Sequence, residues 1–201
     1  MVNTRKKNKH GKKYTRKRAK KHTTYSNKDY SSGEGMLTSV WGPSLWHYLH
    51  TMSFNYPVNP TKEDRHYYKH FIMSLKYVLP CKYCRINLKN NFKECPLTNA
   101  DMKNRETFSH YVYRLHELIN KMLDKKSNLT YKEVRERYEH FRSRCTEKHK
   151  IFNFTKKTLK KREKGCTEPL YGKKSKCVIK IIPQDHNEES FQMDEKCIKY
   201  R

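Results

Sequence analysis

The 201-residue chain is 34% hydrophobic and 12% aromatic with a mean hydropathy of −1.15, which leaves apolar material for one small core with solvated tails and excludes large multidomain machinery. Lys+Arg 46 against Asp+Glu 20 give a net charge of +26, suited to polyanionic or acidic partners. No apolar run approaches the ~18 residues of a membrane span or forms the centre of a signal peptide, so a soluble, unexported protein is expected.

Residues 1–30 hold 12 Lys/Arg and one acid. The basic run at residues 5–21 has almost no aliphatic residue to offset the entropy of ordering and is predicted to be disordered. It either contacts nucleic acid or another polyanion by counterion release, or is a solvated targeting or solubility tail, since only Tyr14 within the run and Tyr25 shortly after it offer stacking tyrosine rings. Ser31, Ser32, Gly33 and Gly35 read as a linker, which closes a tail region at 1–35.

Apolar periodicity then begins. Thr38 or Ser39 opens a first predicted helix on which Trp41, Leu45, Trp46, Leu49, His50 and Met52 share a face, closed by Pro57 and Pro60. Thr61 with Asp64 makes a capping box for a second, carrying Tyr67, Tyr68, Phe71, Ile72, Leu75 and Val78 up to Pro80. A short third starts at Cys81 with Ile86, Leu88 and Phe92. The fourth, about Glu106 to Leu123, presents Phe108, Val112, Leu115, Ile119 and Met122. A fifth follows the Thr130–Glu133 capping box with Val134, Tyr138 and Phe141. Five helices in ~105 residues with short loops predict an all-α fold, a small helical bundle over 36–145. In the remaining segment, 146–201, only Cys177 to Ile182 has the β-branched character of a strand.

Of seven cysteines only Cys81 and Cys84 are close. At a helix N-terminus the free backbone N–H groups favour a thiolate, and a two-residue gap lets the sulfurs form an exchangeable disulfide. The pair is a redox centre, half of a zinc site, or a coincidence of spacing. The zinc reading lacks a second pair, because the nearest third ligand is Cys95 and no C-x2-C or H-x3-H follows, so no metal is assigned. Trp46 with His50, and His116 with Asn120, each lie one helical turn apart. One at a time these histidines read as buried and satisfied; two such pairs flanking a CxxC point to a flat bound cofactor.

Trp41-Gly42-Pro43-Ser44-Leu45-Trp46-His47-Tyr48-Leu49-His50, Tyr56-Pro57, Pro60-Thr61, Pro80-Cys81-Lys82-Tyr83-Cys84 and Leu115-His116-Glu117-Leu118-Ile119-Asn120-Lys121-Met122-Leu123-Asp124-Lys125 together resemble the Erv/ALR sulfhydryl oxidases over roughly residues 37–142. The resemblance implies a four-helix bundle with a short fifth helix, usually a homodimer, holding FAD beside the CxxC. It places Trp46 and His50 on the flavin nucleotide, with Gly42, Pro43 and Tyr56 nearby. His116, Ile119, Asn120 and Lys125 would contact it from the fourth helix and the loop beyond. Arg137 and Tyr138 stand where the family often has a basic residue followed by Trp. Cys84 would lie against the isoalloxazine as the electron-donating, charge-transfer thiolate, and Cys81 would be the sulfur that incoming thiols attack. The implied reaction takes two electrons from a protein dithiol or thioredoxin-like substrate to FAD and on to O2, giving H2O2.

Departures from the family pattern are specific. Glu117 replaces the amide of a usual His-Asn pair, Pro43 stands where a basic residue is common, and residues 108–144 lack the cysteine of a second structural disulfide. The bundle then relies on packing or on a bridge from Cys95 or Cys145. Cys166, Cys177 and Cys197 could form a shuttle from the C-terminal side, a local disulfide, or idle thiols. Abundant Lys, Asn and Tyr are compatible with an AT-rich genome, and the family has members in large cytoplasmic DNA viruses, which suggests host cytoplasm or virion as the location. Two other functions compete: a flavin-free dithiol oxidoreductase of thioredoxin type, which lacks its βαβ pattern here, and a basic nucleic-acid-binding or zinc-binding protein without oxidase activity.

Overall fold

Reciprocal caps set the helix starts. In a computed structural model describing residues 26–33, 35–146, 165–183, 185–186 and 192–198, Thr61 with Asp64, Asn104 with Thr107 and Thr130 with Glu133 each satisfy two orphan N–H groups, and the helices Lys62–Val78 (α3), Arg105–Met122 (α5) and Tyr131–Glu139 (α6) follow at once. Thr38–Phe54 (α2) starts from Leu37 without a side-chain cap and continues through Pro43. Proline inside a helix forfeits one backbone hydrogen bond, and packing of α2 on α5 sustains it. Lys82–Glu94 (α4) begins immediately after Cys81, as the Pro80-Cys81 step predicts.

The chain divides into two units, Met1–Glu34 and Gly35–Arg201. In the first, a four-residue helix, Asn27–Tyr30 (α1), is capped by Ser26 and Asp29, a turn that the reading of this stretch as tail and linker did not foresee. The basic run 5–21 lies outside the described residues.

In the second unit α2 packs on α5, α3 on α4, α4 on α5, and the short α6 closes over α2. This is the expected all-α bundle of four helices with a fifth. Its centre is Tyr56, Ile72, Met102, Phe108, Tyr111 and Val112, all essentially inaccessible; each such side chain stabilises the fold by ~1.5–3 kcal/mol. Tyr68 and Phe108 close on the Tyr56 ring edge-on and tilted.

Several helix-face expectations fail at the rim. Tyr67, Val78, Ile86 and Met122 are exposed, because a bundle buries a stripe narrower than the apolar pattern at helix ends. Cys177–Ile182 is not a strand among the described residues. Val178 is 75% and Ile179 67% exposed, and β-propensity without a partner strand or a surface to cover does not order a ladder. The extension instead forms strands Ser143–Thr146 (β1) and Gly165–Pro169 (β2), paired antiparallel with Ser143 opposite Pro169 and an irregularity between Arg144 and Thr146.

Arg142 anchors this extension. Its guanidinium grips both Glu139 carboxylate oxygens at 2.7 Å and donates to the Phe54 carbonyl at 2.9 Å, while its own carbonyl accepts from Leu170 N–H at 2.8 Å. Gly172 has φ +64°, and a Cβ there would stand 2.9 Å from the Lys196 carbonyl oxygen, so only glycine suits this approach. Cys166 is in a disulfide, whereas Cys95, Cys177 and Cys197 are free thiols. The bridge considered for Cys95 is therefore not made; burial beneath Tyr111, whose hydroxyl donates to the Cys95 carbonyl, pushes its thiol pKa up.

Candidate active site

Cys81 and Cys84 are joined as a disulfide. Cys81 occupies the cap position of α4 in extended conformation, and its Sγ accepts from the Cys84 backbone N–H at 3.1 Å. The sulfur thus takes the place of a serine or aspartate cap, where partial positive charge favours a thiolate. Arg85 secures the preceding turn by donating to the Leu79 carbonyl.

The segment before α2 lies against this turn. Gly35 forms an isolated antiparallel bridge with Cys81, Met36 N–H donates to the Pro80 carbonyl at 2.7 Å, and Trp41 Nε1 donates to the Met36 carbonyl at 3.0 Å. A Cβ on Gly35 would stand 2.7 Å from the Pro80 oxygen and 2.8 Å from the Cys81 Cα. Gly35 reads in the sequence as one more linker residue; only the approach of two backbones explains it. Thr38 Oγ1 lies 3.6 Å from Cys84 Sγ. Neither Gly35 nor Thr38 carries a sequence signal for this site.

Further along α2 the ring residues gather. Trp46 stacks on His116 of α5 with centroids 3.8 Å apart and planes 8° from parallel, and His50 Nε2 lies 2.9 Å from His116 Nδ1. Tyr138 of α6 stacks on His50 at 5.3 Å and its hydroxyl lies 3.4 Å from His47 Nδ1. Burial lowers the pKa of His50 to about 3, helped by the neighbouring His116 and His47, and burial lowers His116 to about 4 against the attraction of Glu117. With both imidazoles neutral, one N–H bridges His50 Nε2 and His116 Nδ1. His50 Nδ1 is buried with no hydrogen-bond partner, a donor or acceptor still to be satisfied.

Glu117, the departure from the family pattern, faces the loop after α5. One carboxylate oxygen accepts from Asn120 Nδ2 at 3.0 Å and Ser127 Oγ at 2.8 Å. Asp124 and Asn128 take left-handed conformations in this loop, and Lys125 N–H returns to the Asn120 carbonyl at 2.8 Å. The loop borders an open cleft of about 430 Å³ whose charged lining is Lys121, Lys125 and Lys126 against Glu117 and Asp124, a small excess of positive charge.

The structure therefore gathers Trp46, His50, His116 and Tyr138 into one cluster, with Asn120 and Lys125 at the adjoining loop. Ile119 is half-buried against the core, Gly42 lies beneath the Thr38 methyl and Pro43 is exposed on α2. Arg137 is exposed on α6. Tyr56 is wholly buried; its hydroxyl donates to the Met102 carbonyl at 3.0 Å and its carbonyl accepts from Arg105. His47, unassigned from sequence, joins the cluster through Tyr138. Among the described residues no group of three or more His, Cys, Asp or Glu could hold a metal ion, and no helix is long and apolar enough to cross a membrane.

Comparison with known proteins bears on the same region. The Erv1 / Alr family model matches residues 43–139. A probable FAD-linked sulfhydryl oxidase of Acanthamoeba polyphaga mimivirus is 38% identical over 104 residues, covering 52% of this chain and 72% of that protein. The FAD-linked sulfhydryl oxidase of an African swine fever virus isolate is 28% identical over 99 residues, 49% of this chain and 80% of that protein. The crystal structure of the yeast Erv1 core superposes with a TM-score of 0.47 at 21% identity, over 60% of this chain and 94% of that one.

Proposed function

Because the chain belongs to the Erv1/Alr family, we propose that it is an FAD-linked thiol oxidase that introduces disulfides into protein dithiols through Cys81 and Cys84. The observation that carries this is the Cys81–Cys84 disulfide at the start of α4, held against the segment that leads into α2, the helix of Trp46 and His50.

The donor set fits a flavin nucleotide. A layer of neutral rings from α2, α5 and α6 suits a flat aromatic group, the orphaned His50 Nδ1 awaits a polar partner, and Lys125 with Lys121 offers charge for phosphates. Trp46, His50, His116, Asn120, Lys125 and Tyr138 are assigned to hold FAD, with Gly42, Pro43, Ile119 and Arg137 as the outer set and Tyr56, wholly buried in the bundle centre, outside direct contact. When bound, FAD supplies a two-electron acceptor and the O2 chemistry that yields H2O2.

The chain's own residues perform the thiol exchange. A substrate thiolate attacks Cys81 Sγ; the Cys81–Cys84 bond breaks and its electron pair leaves on Cys84 Sγ. The second substrate thiolate attacks the substrate sulfur of the mixed disulfide, releasing oxidised substrate and the Cys81 thiolate. The Cys84 backbone N–H then stabilises Cys81 as it stabilised the bound sulfur. Electrons leave the pair from Cys84, which re-forms the disulfide.

A homodimer is assigned from the family, the viral relatives support a viral-type member, and host cytoplasm or virion is assigned as the location on that reading. Residues 5–21 are assigned as a non-specific polyanion contact, with a solvated targeting or solubility tail as the alternative. The visible spectrum of purified protein tests the central reading. A flavin spectrum that bleaches with dithiothreitol and recovers in air with O2 uptake and peroxide release, and does neither in Cys84→Ser, is expected. Colourless protein that FAD does not reconstitute overturns it in favour of a basic or zinc-binding protein.

A further inference from the structure

The two sulfurs of one disulfide are supported by different parts of the molecule. Cys81 Sγ accepts from a backbone N–H of its own helix, whereas Cys84 Sγ meets the Thr38 hydroxyl of α2 at 3.6 Å. A disulfide sulfur carries no proton, so in this contact the hydroxyl donates.

Thr38 is aimed rather than merely near. The Gly35–Cys81 bridge, the Met36 N–H to Pro80 carbonyl bond and the Trp41 to Met36 bond tie the start of α2 to the turn before α4. The Thr38 methyl lies over Gly42, 3.5 Å from where a Cβ would stand, and the hydroxyl faces the sulfur. Its hydroxyl is not spent on capping, because the cap residue of α2 is Leu37, which makes no side-chain bond.

We propose that Thr38 is a catalytic residue whose hydroxyl stabilises Cys84 as the leaving thiolate. This rests on the reading of Cys81 as the attacked sulfur. As the substrate thiolate bonds to Cys81 Sγ, the disulfide bond breaks and its electron pair goes to Cys84 Sγ, with no proton required. A hydrogen bond to a neutral disulfide sulfur is weak, while one to a thiolate is charge-assisted, so the contact strengthens as the bond breaks. A leaving thiol of lower pKa departs faster. The Thr38 contact assists attack at Cys81 alone, since attack at Cys84 would expel a Cys81 thiolate held by the Cys84 N–H instead.

The test reads Cys84 directly. In full-length Cys81→Ser protein, with and without FAD, iodoacetamide labelling of Cys84 is followed by peptide mass spectrometry as a function of pH. Adding Thr38→Val is expected to move the labelling midpoint up by about one pH unit, and Thr38→Ser, which keeps the hydroxyl, to leave it in place. With both cysteines present, Thr38→Val should slow opening of the disulfide by dithiothreitol several-fold. A midpoint unmoved by Thr38→Val, or moved as far by Thr38→Ser, overturns the proposal even in an active oxidase. A midpoint that moves in Thr38→Val alone, while the chain with both cysteines shows no oxidase activity, upholds the Thr38 contact and overturns the oxidase reading instead.

Discussion

The indole of Trp46 and the imidazole of His116 lie 3.8 Å apart and nearly parallel, and His116 is in turn 2.9 Å from His50, so α2 and α5 are joined by a chain of three rings. This chain is packing and, on the proposed function, the surface that FAD would meet. Trp46→Ala removes the largest ring and is expected to weaken FAD retention roughly tenfold. Fluorescence titration of the stripped protein with FAD checks this; unaltered affinity would place the flavin elsewhere.

The same histidines make stability depend on pH. Folded pKa values of about 3 for His50 and about 4 for His116 lie below the ordinary 6.5. Above that ordinary value both states are neutral and the contribution is complete. As pH falls below it the unfolded chain takes up protons that the folded chain refuses, so stability declines down to about pH 4 to 3, by on the order of a few kcal/mol. Urea midpoints of flavin-free protein at about pH 7.5 and about pH 4.5 are expected to differ less in His116→Gln than in the unmodified chain.

Gly35 is the cheapest place to break the site without touching a sulfur. In Gly35→Val the new Cβ meets the Pro80 oxygen and the Cys81 Cα, both backbone atoms that cannot swing aside. Loss of about 1–3 kcal/mol of stability is expected, with a larger fall in dithiothreitol oxidase turnover than in FAD content. Wild-type turnover at reduced melting temperature would show that the segment only stabilises.

Cys177 and Cys197 are free, and Cys166 is already bonded. Cys177→Ser and Cys197→Ser are expected to leave dithiothreitol oxidation unchanged. A relay role requires a change to slow oxidation of a reduced protein dithiol, measured by O2 uptake; rates equal to the unmodified chain's in both variants and in Cys166→Ser remove the shuttle.

Deletion of residues 1–30 removes 12 Lys/Arg. Retention on immobilised DNA at low salt is expected to be lost, with thiol oxidase turnover preserved. Binding that survives the deletion would assign the contact to the bundle or extension.

Local chemistry was written plainly in the chain. Thr61 with Asp64 and Thr130 with Glu133 announce helix starts because a cap and its partner lie three residues apart, and Cys81 with Cys84 announce a redox pair for the same reason. Trp46 with His50 and His116 with Asn120 could be paired by helical spacing alone. Those features depend on neighbours within one turn, so periodicity reaches them. Gly35 and Thr38 lie 46 residues from the Cys81 and Cys84 they serve, His47 meets Tyr138 across 91, and the β1–β2 pairing joins strands that no alternation marked. Contacts of that range arise only when α2 packs on α5 and the segment before it settles against the turn before α4, and no pattern within a helical turn can encode where two separate backbones will touch.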